Sequence, residues 1–160
     1  MTKNRKGFTL VEIMVVVTLI GFLAMLSVPV FKRIKLRAAS ASFTSDTRMF
    51  SEAFQRYAQE MGSFPDSGAV GVVPGGMEDF IDQNDWGKTT SLGGNYSWLI
   101  FPTSDAQRGN YDIGIIQVVA PTLSLEELED IDSWIDDGNV NSGNVLVAGA
   151  GSLVYFIVEI

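Results

Sequence analysis

Oxygen-bearing side chains crowd one short stretch of the sequence, DIDSWIDDGNVNSG, from Asp130 to Gly143. Asp132, Asp136, Asp137, Asn139 and Asn141 are hard donors of the kind that coordinate calcium. Their order is not that of an EF-hand loop: DDGNVNSG lacks the alternating acidic positions before the glycine and the closing glutamate. The same residues also suit a helix end followed by an Asp-Gly turn into a strand. Paired carboxylates can hydrolyse glycosides by acid–base chemistry, but the acids here are many and scattered, with no evident cleft. The chain has no histidine and no cysteine. That excludes Ser-His-Asp and Cys-His catalysis, disulfides and Cys/His zinc sites. The sequence contains no phosphate-binding glycine loop, dinucleotide fingerprint or internal repeat. The reading is non-enzymatic, with no required cofactor and with calcium as the ion these side chains would hold.

The other pointed residue is Glu12. It is the one charge among the 24 residues from Phe8 to Phe31. A helix of that length reaches about 36 Å, enough to cross a hydrocarbon core of about 30 Å. Lys3, Arg5 and Lys6 precede the apolar run, and KRIKLR, Lys32 to Arg37, follows it. The run is longer than the core of a secretory signal peptide, and SVPVFKRIK is a poor cleavage site. A single-pass anchor fits the length but gives no reason for Glu12, unless its place one turn from Phe8 keeps it near the interface. Basic residues on both flanks leave orientation open.

KGFTLVEIMVVVTLIGFLAMLSVPVF, Lys6 to Phe31, resembles the N-terminus of type IV pilins and of the pseudopilins of type II secretion systems. In that family a basic leader ends in Gly. A prepilin peptidase cuts after the Gly and methylates the new amine, and the fifth mature residue is Glu. Carried onto this chain, the resemblance implies cleavage after Gly7, N-methylation of Phe8, and pairing of Glu12 with the Phe8 amine of a neighbouring subunit. A buried carboxylate facing a cation in low dielectric sets register more than it adds stability. Loss of Lys3, Arg5 and Lys6 takes the formal charge from −8 to −11. Gly21 and Pro29 bracket the second half of the span, where the resemblance implies a flexible joint. A proline also removes a helix hydrogen bond, although Gly and Pro are frequent in membrane helices in any case.

The elements that carry these residues are legible from periodicity. Phe43, Phe50, Phe54, Tyr57 and Met61 mark one face of a helix, which should stop at Gly62 with Pro65 close behind. Gly62 to Lys88 reads as loop with one short helical piece around Met77 to Gln83. Asn95–Phe101 and Tyr111–Val119 read as strands. Asn144–Ala150 and Ser152–Ile160, parted by Gly151, read as a closing hairpin. Between the pairs, SLEELEDIDSWIDDG reads as a helix with Ser124 and Glu127 as a capping box. Leu125, Leu128, Ile131 or Asp132, and Ile135 mark its apolar side, and Gly138 ends it. The fold class expected is α+β, a long N-terminal helix on a small antiparallel sheet. The organisation is a leader, 1–7; a transmembrane and assembly helix, 8–31; an amphipathic helix, 32–61; and a globular head, 62–160.

Nine of the eleven basic residues lie at or before Arg56, whereas sixteen of the nineteen acids lie at or after Glu60. An acidic head repels phosphate backbones, so no nucleic-acid partner is expected. The resemblance, and the Gly-aromatic-Pro pattern that closes Tyr57 to Pro65, point to a pseudopilin. Such a subunit is stored in the bacterial inner membrane with its head in the periplasm or outside. Its partners are the peptidase, an assembly platform, lipid before assembly, and copies of itself or other pilins in a filament. A type IV pilus subunit is the structural alternative. A membrane-anchored binding module that never polymerises is the alternative of another class.

Overall fold

The computed structural model describes residues 7–105, 109–148 and 153–159. Lys3, Arg5 and Lys6 of the leader, Arg108, and the Gly151 turn lie outside them. The chain divides into two compact units, residues 1–36 and 37–160.

Helix α1 runs from Leu10 to Met61. Thr9 caps it, its hydroxyl accepting from the Glu12 backbone N–H at 3.2 Å. Every described residue from Gly7 to Lys35 is exposed, so the first unit presents an apolar helix surface. The helix continues through Gly21 and Pro29. It ends where expected: Gly62 takes φ of +81°, and its N–H reaches the Ala58 carbonyl at 2.8 Å. A left-handed residue just past the last turn is the usual glycine stop.

In the second unit, α1 buries Ser40, Phe43, Thr47, Phe50, Ala53, Phe54 and Ala58. Against this face stands an aromatic cluster. Phe54 stacks on Trp98 at 3.7 Å and 10°. Phe50 meets Trp86 and Tyr96 edge-on at 4.9 and 5.0 Å. Such pairs contribute beyond the area they bury. Tyr57 is half-buried and Met61 is 60% exposed. The core face therefore closes one turn earlier than the periodicity suggests, because Met61 sits on the last, unpacked turn.

The short helical piece expected at Met77 to Gln83 is displaced. Helix α2 is Gln83–Gly87, opened by Asp82, whose carboxylate accepts from the Asn84 N–H. Met77 to Ile81 form turns on the Met77 carbonyl instead. Gln83 holds the preceding loop at both ends, accepting from the Val73 N–H and donating to the Gly71 carbonyl.

Four strands form one antiparallel sheet: β1 Asn95–Asp105, β2 Gly109–Val119, β3 Val145–Ala148 and β4 Leu153–Glu159, in the order β1-β2-β4-β3. Both members of the first pair are longer than their apolar patterns. The first half of the outer edge of β1 is covered, with Gly68 and Gly71 donating to the Trp98 and Tyr96 carbonyls. A covered edge cannot recruit a stray strand. The Tyr96 hydroxyl donates to Asp46 at 3.2 Å, and Lys88 reaches the same carboxylate at 3.5 Å. Burial, and then Asp46, push the Tyr96 phenol up.

Gly114 of β2 lies so close under the Trp98 ring that a Cβ there would overlap it. Gly114→Ala is expected to destabilise the head by about 1–3 kcal/mol, the range for overpacking a core. A lower urea midpoint, followed by tryptophan fluorescence, checks this. An unchanged midpoint would show that the ring has room to move.

Helix α3, Leu125–Ile135, opens with the expected capping box between Ser124 and Glu127. Leu128, Ile131 and Asp132 are buried, whereas Leu125 is 53% exposed. Leu125 is the first helical residue and precedes the turn that packs, so it does not join the apolar side. Asp132 takes a core position instead.

Candidate functional site

Two places carry the residues singled out by the sequence, one in each unit. At the N-terminus, Phe8 is 79% exposed and Thr9 begins the helix at its capping position. Glu12 is the third helical residue. Thr9-Leu10-Val11-Glu12 therefore has the form of a capping box, a signal present in the sequence but overshadowed there by the apolar run. A carboxylate in a first turn also complements the helix dipole. Glu12 thus has a local role before any neighbouring chain is considered. Gly7 and Phe8 lie outside the helix, so the peptide bond between them is free of secondary structure. Gly21 is exposed, with open space where a side chain would stand.

In the second unit, the end of α3 and the turn after it gather Asp132, Asp136 and Asp137. One oxygen from each lies within 4.8 Å of the others. Asp132 is fully buried, and among the described residues neither of its oxygens makes a well-formed hydrogen bond, with the Gly138 N–H and the Asp137 carboxyl as its polar neighbours. Burial, and then the charges of Asp137 and Asp136, push its carboxyl up. Asp137 is held below the usual range by the Asn139 N–H and the Ser142 hydroxyl, each at 2.8 Å. Asp136 accepts from the Asn144 N–H. Gly143 leaves space that any larger residue would take from the Asp136 carboxylate. Asn139 and Asn141 stand exposed in the same turn, with the Asn139 oxygen accepting from the Asn141 N–H. Ser142, Gly143 and Asn144 shape the site without having been singled out in the sequence. Their contribution is a turn conformation, which residue type alone does not announce.

Three carboxylates this close repel one another, and a buried carboxylate without a partner is costly. A divalent cation would answer both problems at once. The all-oxygen donor set fits calcium, which takes carboxylates and backbone carbonyls with tolerant geometry.

Comparisons with known proteins bear on the first place. Residues 2–28 match the family model of the prokaryotic N-terminal methylation motif. No curated protein sequence matches the chain. Among solved structures, the major type IV pilin of Clostridium difficile is similar at 15% identity and a TM-score of 0.47, over 78% of this chain and 97% of that one.

Proposed function

We propose that this chain, which carries the prepilin-type N-terminal methylation motif, is a structural subunit of a type II secretion pseudopilus. The observation that carries the reading is the join at residues 7 to 12. Gly7 and Phe8 stand outside the helix, Glu12 sits in its first turn, and an exposed apolar helix surface follows. A prepilin peptidase would cut after Gly7 and methylate Phe8. The chain would wait in the inner membrane as a single-pass protein and then leave lipid by packing α1 against other copies on an assembly platform. Glu12 would set the register of that packing through the Phe8 amine.

Two features of the head favour a pseudopilin over a type IV pilus pilin. The first is the Gly-aromatic-Pro turn after α1. Phe64 is buried edge-on against Trp98, and the Pro65 carbonyl accepts from the Trp98 indole at 3.0 Å. The second is the acidic turn, where Asp132, Asp136 and Asp137 would hold calcium and lock the end of α3 to the strand that follows. The ion's part is structural: it would supply charge neutralisation in a head whose work is mechanical.

Mass spectrometry of the N-terminus, on protein taken from native membranes, tests the reading. The expected chain begins at Phe8 and carries one added methyl. An intact leader, in cells whose prepilin peptidase is active, would overturn the proposal in favour of a membrane-anchored module. Surface filaments containing the chain would shift the assignment to a pilus.

A further inference from the structure

Three arginines of the second unit, Arg37, Arg48 and Arg56, have no carboxylate partner among the described residues, although that unit is strongly acidic. Arg37 and Arg48 lie eleven residues apart on α1, three turns, which places them on one face. Between them run Ser40 and Thr44, and Trp134 of α3 forms the opposite wall of an open groove of about 610 Å³. The Arg37 guanidinium lies over the Trp134 ring at 5.3 Å. Glu52 and Asp136 share a neighbouring hollow with Arg48. Neither pairs with it, and among the described residues the ion pairs belong to Lys88.

The other flank of α1 bears opposite charge. Tyr57 is nine residues past Arg48, two and a half turns, and so faces the other way. Phe80 packs edge-on against Tyr57 at 5.5 Å, and the Tyr57 hydroxyl also lies beside Gly76. That flank therefore holds the turn containing Glu78 and Asp79, both exposed. Neither acid has an ion pair among the described residues.

From this arrangement we infer that the Arg37–Arg48 groove is a docking surface for a second copy of this chain, and that it receives the Glu78–Asp79 turn of that copy. The inference rests on the filament reading and names the contact between heads within it. A basic groove on one flank and an acidic turn on the other make a head-to-tail interface, which propagates as a helix rather than closing a dimer. Processed chains of net charge −11, with the acids concentrated in the head, repel when set side by side. Placing unpaired acids on unpaired arginines offsets that repulsion where the copies touch.

The chain has no cysteine, so engineered thiols report the contact cleanly. Ala41 is exposed on the groove wall, and Gly75 is exposed beside the acidic turn with open space around it. Two differently tagged full-length copies, one Ala41→Cys and one Gly75→Cys, are expressed together in the native host and oxidised. A disulfide-linked dimer carrying both tags is expected. It should be lost when the first copy also carries Arg37→Glu and Arg48→Glu. It should return when the second copy also carries Glu78→Lys and Asp79→Lys. Return of the dimer excludes a folding defect as the cause of its loss. Sheared filaments that contain both copies but no such dimer overturn the groove contact and leave the filament reading standing. Dimers of Ala41→Cys with itself in equal yield overturn the head-to-tail arrangement. Absence of both filaments and dimers overturns the contact together with the reading it rests on.

Discussion

Chelation of calcium is expected to lower the melting temperature of the detergent-solubilised chain, and Asp132→Asn is expected to remove that difference. A ligand that binds only the native state stabilises it by about 2.7 kcal/mol at a hundredfold excess over Kd. For a domain of this size that corresponds to about 5–10 °C. The sharper expectation is a change of sign. Asp132 is buried beside Asp136 and Asp137 with no well-formed hydrogen bond among the described residues. Its carboxyl is pushed up, so in the metal-free chain its ionisation opposes folding. The stability associated with its protonated form is present at low pH and lost as pH rises through its raised pKa. Asparagine removes the ionisation and one of the three charges. In chelator, Asp132→Asn should therefore melt above the parent chain at neutral pH. In calcium it should melt below it, because the ion has lost its buried ligand. A turn that needs no ion would behave differently: the substitution would move both melting curves together, and chelation would move neither. Equal melting in saturating calcium and in chelator would remove calcium from the account.

How much of this was readable beforehand follows from where each signal resides. Helix α1 and its stop at Gly62 were legible because spacing and a left-handed glycine are local properties. The capping box at Ser124 and Glu127 was legible for the same reason. The displaced α2 shows the limit. Met77 to Gln83 and Gln83 to Gly87 are both short and both acidic. The choice between them was made by Asp82 capping Asn84 and by Gln83 bridging back to Gly71 and Val73, and the bridge is a contact across a loop. The acidic turn was visible as composition, but the burial of Asp132 was not. Helical spacing allowed either Ile131 or Asp132 on the apolar side, and the structure buries both. Gly114 gave no signal, since its need for a missing side chain comes from Trp98 on the neighbouring strand. The Arg37–Arg48 groove needed α3, because Trp134 closes it from another element.

Glu12→Ala is expected to leave membrane insertion and cleavage after Gly7 intact while sharply reducing incorporation into filaments. The substitution alone does not say why, because Glu12 has two roles open to it. Within its own chain it is the third helical residue, after a Thr9 cap, where a carboxylate steadies the first turn. Between chains it would face the Phe8 amine, a cation that the positive end of a helix dipole disfavours. Glu12→Gln separates the two. Glutamine serves as well as glutamate at the third position of a capping box, so the first turn survives. It cannot neutralise an amine. If charge pairing aligns the subunits, Glu12→Gln should fail to incorporate nearly as completely as Glu12→Ala, while N-terminal mass spectrometry still finds a methylated Phe8. Glutamine also enters the hydrocarbon more readily than a carboxylate, whose transfer to the centre of a span costs about 2.5–3.5 kcal/mol. A failure of Glu12→Gln therefore cannot be laid to poorer insertion. Thr9→Ala supplies the converse, removing the cap and leaving the charge. If Thr9→Ala and Glu12→Gln exchange outcomes, with the cap variant failing and the neutral variant assembling, Glu12 is a helix-starting residue and the register of the filament is set elsewhere along α1.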